Sequence, residues 1–258
     1  MQKPFVFLAL ACITLIPGRA QTVTGSITGT VTDPAGAVVP NATVTAKNVD
    51  TNIATETKTS SAGVYNLLFL PVGRYTISVQ APGFKSSSLA PFELGVNQTA
   101  RADVKMEVGV ITESVSVEAA APALQTESAQ TGDVISSTQS SSLPLNGRNF
   151  VSLTLLAPGS ITPYPNNFNN PSRSFGGGRP YVNGNREQTN NFLLDGVDIN
   201  EPIDNLVAYN PNVDAIAEMR VLTGNASAEF GNASGATVIM ATKSGTNEFH
   251  GNLFEFLR

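Results

Sequence analysis

Between residues 22 and 108, apolar and polar side chains alternate in short runs set apart by turn residues. Ser26-Ile27-Thr28-Gly29-Thr30-Val31-Thr32 alternates and is closed by Asp33-Pro34-Ala35-Gly36, a strong turn signal. Ala42, Val44 and Ala46 share one face of the next run, with Thr43, Thr45 and Lys47 on the other. Ser60-Ser61-Ala62-Gly63 turns into a run with Tyr65, Leu67 and Phe69 on one face, and Pro71-Val72-Gly73 turns again before Tyr75, Ile77 and Val79. The cleanest run sets Ala100, Ala102, Val104, Met106 and Val108 against Arg101, Asp103, Lys105 and Glu107. Side chains of a strand alternate between its faces, so several such runs predict an antiparallel β-sandwich with one solvated face per sheet.

Beyond residue 108 the pattern loosens. Ile111 to Ala119 reads as a short extended segment, and the small residues to Ala123, with Pro122, read as a linker. From about 130 to 245 the elements are mixed, which predicts a small α+β unit. Asp133-Val134-Ile135 is a short strand, and Leu143-Pro144-Leu145-Asn146-Gly147-Arg148 is a structured turn. Asn149 to Leu156 reads as a short helix with Phe150 and Leu153 on one face and Leu156 close by, ended by Pro158-Gly159. Pro163 to Arg179, rich in Asn, Pro and Gly, reads as a long surface loop, either facing a ligand or inserted without structure. Short apolar strands then alternate with Gly turns: Asn191-Phe192-Leu193-Leu194-Asp195-Gly196-Val197-Asp198, Glu218 to Gly224, Ala228-Glu229-Phe230-Gly231, and Gly235 to Lys243.

Composition narrows the classes. Of 258 residues, 41% are hydrophobic, enough for a core, and only 14% are charged. The net charge of −5 and the lack of a basic run argue against nucleic acid, which requires clustered Lys and Arg to neutralise phosphates. Lys3, the apolar run Phe5 to Ile16 and Gly18-Arg19-Ala20 predict a secretory signal peptide cleaved after Ala20, and no other stretch approaches the length of a membrane-spanning helix. Leu8-Ala9-Leu10-Ala11-Cys12 has some likeness to a lipoprotein box, but the apolar run continues past Cys12. Cys12 is the only cysteine, so the mature chain would carry no thiol chemistry.

The inventory offers no catalytic set. His250 is the only histidine, which is too few for a zinc peptidase or a Ser-His-Asp triad. Gly176-Gly177-Gly178 is not followed by Lys-Ser/Thr and is not a phosphate loop. Asp195, Asp198, Asn200, Glu201 and Asp204 could offer oxygens to calcium, but their spacing is not that of an EF-hand, and turn-forming roles are the plainer reading. No cofactor or metal is expected.

The residues carry two family resemblances. Gly29-Thr30-Val31-Thr32-Asp33, Pro40-Asn41-Ala42-Thr43-Val44, Gly63-Val64-Tyr65, Leu70 to Val79 and Ala81-Pro82-Gly83-Phe84 resemble the carboxypeptidase regulatory-like domain, a transthyretin-like sandwich grouped with carbohydrate-binding folds. The later series, with Leu-Pro-Leu-Asn-Gly-Arg before it, resembles the plug domain of TonB-dependent outer-membrane transporters of the Oar-like branch; Asp195, Gly196, Val197, Gly224, Gly231, Gly235 and Lys243 carry the signature. The resemblance implies export to the outer membrane with the sandwich on the periplasmic side. It implies TonB as partner, a small-molecule or carbohydrate substrate, and a TonB box just before the plug. Glu113-Ser114-Val115-Ser116-Val117 stands in that position and would join TonB by strand addition; the alternative is a final strand of the sandwich.

The resemblance also implies a barrel. Glu248 to Arg258 resembles a first barrel strand, and a barrel of about 22 strands needs several hundred residues. The expectation is therefore an N-terminal piece of a longer transporter, or the product of a truncated gene. The expected function is the extension and plug that gate TonB-driven uptake. The competing reading is a secreted carbohydrate-binding module, against which stand the absence of Trp and the scatter of the five Tyr. An enzyme is not expected.

Overall fold

The computed structural model describes residues 24–110, 114–117, 128–162, 179–231, 233–246, 249 and 251. The predicted signal peptide, most of the Pro163–Arg179 loop and nearly all of the barrel-like C-terminus lie outside the described residues.

The first domain is a sandwich of two sheets. In one, β1 (Thr24–Thr32) lies between β4 (Val64–Pro71) and β8 (Thr99–Arg101), and β9 (Val104–Lys105) pairs with the far end of β1. The other runs β10 (Ser114–Val117), β6 (Ser86–Leu89), β5 (Gly73–Gln80), β2 (Thr43–Asn48), β3 (Ala54–Lys58), with β7 (Phe92–Leu94) also on β5. Ile27, Val31, Val44, Ala46, Tyr75, Ile77 and Val79 meet between the sheets, all buried as their alternation requires. At Gly29, β1 passes close to the chain between β8 and β9. A Cβ there would lie 2.0 Å from the carbonyl oxygen of Ala102, and the buried Tyr65 hydroxyl donates to that same oxygen at 2.5 Å. Burial raises the phenol pKa of Tyr65, with Asp103 adding to the shift and Arg101 opposing it, so the hydroxyl stays a donor.

Three local features depart from the expected pattern. β8, β9 and β10 pair in parallel, with β1, β1 and β6, so the mainly antiparallel sandwich carries parallel edges. The run from Ala100 to Val108 is split into β8 and β9; Ala100, Ala102, Val104 and Met106 point inward, but Val108 is exposed. On β4, Tyr65 and Leu67 are buried but Phe69 is 79% exposed, and Leu70 takes the inward place. The cause is a bulge opposite Gly25–Ile27, where the extra residue flips the alternation and Phe69 adopts φ +59°.

The second domain is one sheet in the order β11 (Thr131–Ser136), β16 (Ile216–Gly224), β17 (Thr237–Thr242), β14 (Asn191–Leu194), β15 (Val197–Asp198). The strands β12 (Ser160–Ile161) and β13 (Tyr181–Val182) form a separate small ribbon. Helix α1 (Ser137–Ser142) starts in a capping box between Ser136 and Gln139. Phe150–Leu156 is a 3₁₀ helix capped by Asn149, whose side chain accepts from the Val151 amide at 2.9 Å. Phe150 and Leu153 enter the core with Val151 and Thr154, while Leu156 at the C-terminal end is exposed. They pack with Phe192, Ile216, Met219, Val221, Val238 and Met240 on one face of the sheet.

Candidate functional site

The segment Ser114–Val117 is a strand, and its position decides what it can do. As β10 it pairs in parallel with β6, with Ser114 opposite Ser86 and Val117 opposite Leu89. Glu113 lies outside the described residues. The pairing makes the segment the border of the sandwich sheet. Among the described residues no strand pairs on its far side. Main-chain N–H and C=O groups of an edge strand can template an added strand, so membership of the sandwich and capture by a partner are compatible.

The plug-signature residues shape the second domain. Asp195 and Gly196, with φ of +49° and +81°, form the two-residue turn between Leu194 and Val197. The Asp195 carboxylate accepts from the Thr242 amide at 2.9 Å and its hydroxyl at 2.8 Å, tying the hairpin to the end of β17. Val197 itself is exposed. Gly224 ends β16 opposite Thr131. The Gly231 carbonyl accepts from the Asn191 side-chain amide at 3.1 Å, and the Lys243 amide donates to Ala215 at 2.8 Å. At Gly235 a Cβ would sit 2.4 Å from the Asn190 side-chain oxygen. These bonds join strands and turns of the second domain to one another.

The acidic cluster is spent on its own turns. Asp198 accepts from the Asn200 amide and side chain, both at 2.7 Å, and Glu201 from the Asp204 amide at 2.9 Å. Among the described residues, no group of three or more His, Cys, Asp or Glu side chains is arranged to hold a metal.

Two polar centres escaped the reading of the sequence. Asn190, fully buried, donates to Pro180 at 2.7 Å and Glu187 at 3.2 Å and accepts from the Ala236 amide at 2.8 Å. Beside it the buried Arg179 and Glu187 pair at 3.4 Å. The second centre lies where the domains meet. Val96, on the β7–β8 turn of the sandwich, is packed with Leu222, Ile239 and Ala241 of the plug sheet. The Glu218 carboxylate accepts from the Val96 amide at 2.7 Å. The Arg220 guanidinium donates to the carbonyls of Val96 at 3.0 Å and Asn97 at 2.9 Å. Part of the signal for this joint was present in the unbroken apolar run Val238–Ala241; in the structure Met219 to Thr223 and Thr237 to Ala241 are buried throughout, as strands covered on both faces are.

Burial raises the pKa of Glu218, outweighing the Val96 hydrogen bond and the Arg220 charge that oppose the shift; Glu93 adds to the rise. Burial lowers that of Arg220, and Glu218 opposes it. The docked carboxyl thus holds its proton more tightly than a free one. Its contribution to the stability of the folded chain is greatest below the ordinary value of 4.5 and is lost as pH rises through the raised value. Mild acidification is expected to slow hydrogen exchange of the Val96 amide, after correction for the intrinsic rate. Glu218→Gln keeps an acceptor and sheds the buried charge, so it should hold Val96 as well as the native residue while abolishing the pH dependence.

The chain matches the model of the carboxypeptidase regulatory-like domain over residues 26–107 and that of the TonB-dependent receptor plug domain over residues 124–238. It is similar to the TonB-dependent transporter Oar of Myxococcus xanthus, with 26% identity over 242 residues, which are 89% of this chain and 21% of that protein. It therefore spans about a fifth of that relative's length. Among solved structures, the Bacillus anthracis TIE protein is 27% identical, covering 33% of this chain and 17% of that chain at a TM-score of 0.30. Catechol 1,2-dioxygenase of Acinetobacter radioresistens is 16% identical, covering 40% of this chain and 58% of that chain at 0.29. At such TM-scores neither likeness carries an argument.

Proposed function

From a chain whose two domains belong to the carboxypeptidase regulatory-like and TonB-dependent receptor plug families, we propose the following function. The chain is the periplasmic extension and plug of an outer-membrane transporter, exported by its N-terminal signal and gated by TonB. The plug fills the lumen of a barrel. TonB adds a strand to Ser114–Val117, and the pull transmitted through the following linker rearranges the plug so that a small-molecule or carbohydrate substrate passes. The chain itself is assigned no catalytic step; the work comes from TonB.

The observation that supports this reading is the order of parts. A short edge strand, unpaired on its far side among the described residues, stands immediately before a domain of the plug family. Strand addition takes affinity from main-chain hydrogen bonds and register from alternate side chains, and the edge offers four residues for it. The test is titration of the periplasmic domain of TonB into the chain. Saturable one-to-one binding, lost when residues 113–117 are deleted, is the expected result. Binding that survives the deletion would place the TonB contact elsewhere.

A further inference from the structure

The plug sheet has two buried faces, and they are covered by different things. Its own 3₁₀ helix and core close one. The Leu94–Gln98 turn of the sandwich lies on the other. This cover is small. Val96, Leu222, Ile239 and Ala241 are fully packed, with Val72, Leu193 and Phe230 partly buried around them. The polar part of the contact among the described residues includes a carboxylate on an amide, a guanidinium on two carbonyls, and a 3.5 Å contact from the Asn97 side chain to Gln130 at the entry to β11.

We propose that the Leu94–Gln98 turn is a reversible latch between sandwich and plug. Closed, it fixes the sandwich, and with it the β10 edge, against strands β16 and β17. Open, it bares an apolar strip on the plug and frees the sandwich from strands β16 and β17. The chemistry suits a catch that can be undone. Both charged groups bond to the main chain of the turn and attract each other, so charge-assisted hydrogen bonds are set against the desolvation of a carboxylate and a guanidinium. The grip is on the backbone of a turn, which keeps its own bond from the Gln98 amide to the Gly95 carbonyl whether docked or free. Val96 packs with the plug residues and lies outside the sandwich core cluster, so the sandwich does not depend on it.

Hydrogen exchange on the full chain tests the latch through two variants on opposite sides of it. In the native chain the Val96 amide should exchange more slowly than amides of the solvated Asp33–Gly36 turn but faster than those of β2 and β5. Val96→Asp and Arg220→Met should each speed exchange at residues 95–98 by about tenfold or more, while β2 and β5 stay protected. A disulfide joining Asn97→Cys to Gln130→Cys should slow it below the native rate. The proposal is overturned if both variants leave residues 95–98 within about twofold of native. It is equally overturned if the native amide is as slow as the β2 core, which makes the contact permanent. Loss of β2 and β5 protection in both variants would also overturn it, by making the turn part of the sandwich core.

Discussion

If TonB captures Ser114–Val117 as proposed, a proline at one of the two positions Val115 and Ser116 in a full-length transporter should abolish that capture, and with it uptake, without disturbing outer-membrane assembly. Successive amides of a strand point to opposite edges, so one of these two N–H groups faces β6 and its neighbour faces the open side. Proline removes the donor it replaces. The outward substitution takes away a hydrogen bond that only an added strand would use and should leave the melting of the sandwich unchanged. The inward substitution loosens β10 from β6 and should show first as faster exchange at Ser86–Leu89, where the pairing is now made. Co-purification of TonB with each variant separates them. Capture that is insensitive to both prolines removes Ser114–Val117 from the contact.

Phe192→Ala should strongly destabilise the plug while sparing the sandwich. Phe192 is fully buried and meets Phe150 edge-on, with ring centroids 6.1 Å apart at 80°. Truncating a buried Phe costs about 3–5 kcal/mol, against a total domain stability of about 5–15 kcal/mol. The two cores share no members, so protection should fall at β14, β16 and β17 and persist at β2 and β5. Protection lost from both domains together would mean that they fold as one cooperative unit. That is a stronger coupling than the small contact at Val96 implies.

How far these features could be foreseen depended on how local their causes are. The inward set of β1, β2 and β5 was legible because period-two alternation is a property of adjacent residues. Phe69 was placed on the wrong face because a bulge is fixed by the partner strand: the shift opposite Gly25–Ile27 leaves no mark in Leu68-Phe69 itself. The parallel pairings of β8, β9 and β10 were illegible for the same reason, since strand order is a long-range outcome. Asp195-Gly196 was readable as a hairpin turn, but its tie to Thr242 spans 47 positions of chain. The joint was half legible. The unbroken apolar run Val238–Ala241 in β17 signals two covered faces, whereas Glu218 and Arg220 interrupt β16, whose burial is a fact of the fold. That the acceptors for Arg220 are the Val96 and Asn97 carbonyls, more than a hundred residues away, is likewise a fact of the fold alone.

The role given to Ser114–Val117 is most directly tested by a cysteine scan in cells. Each position from 114 to 117 is replaced in turn in the full-length protein and oxidised against single cysteines along the C-terminal region of TonB. Strand addition predicts disulfides whose preferred TonB partner steps one residue for each residue moved, as paired strands in a fixed register require. Conjugates confined to other parts of the chain, or none across the four positions while cysteines elsewhere in the chain do react, would contradict capture of this strand.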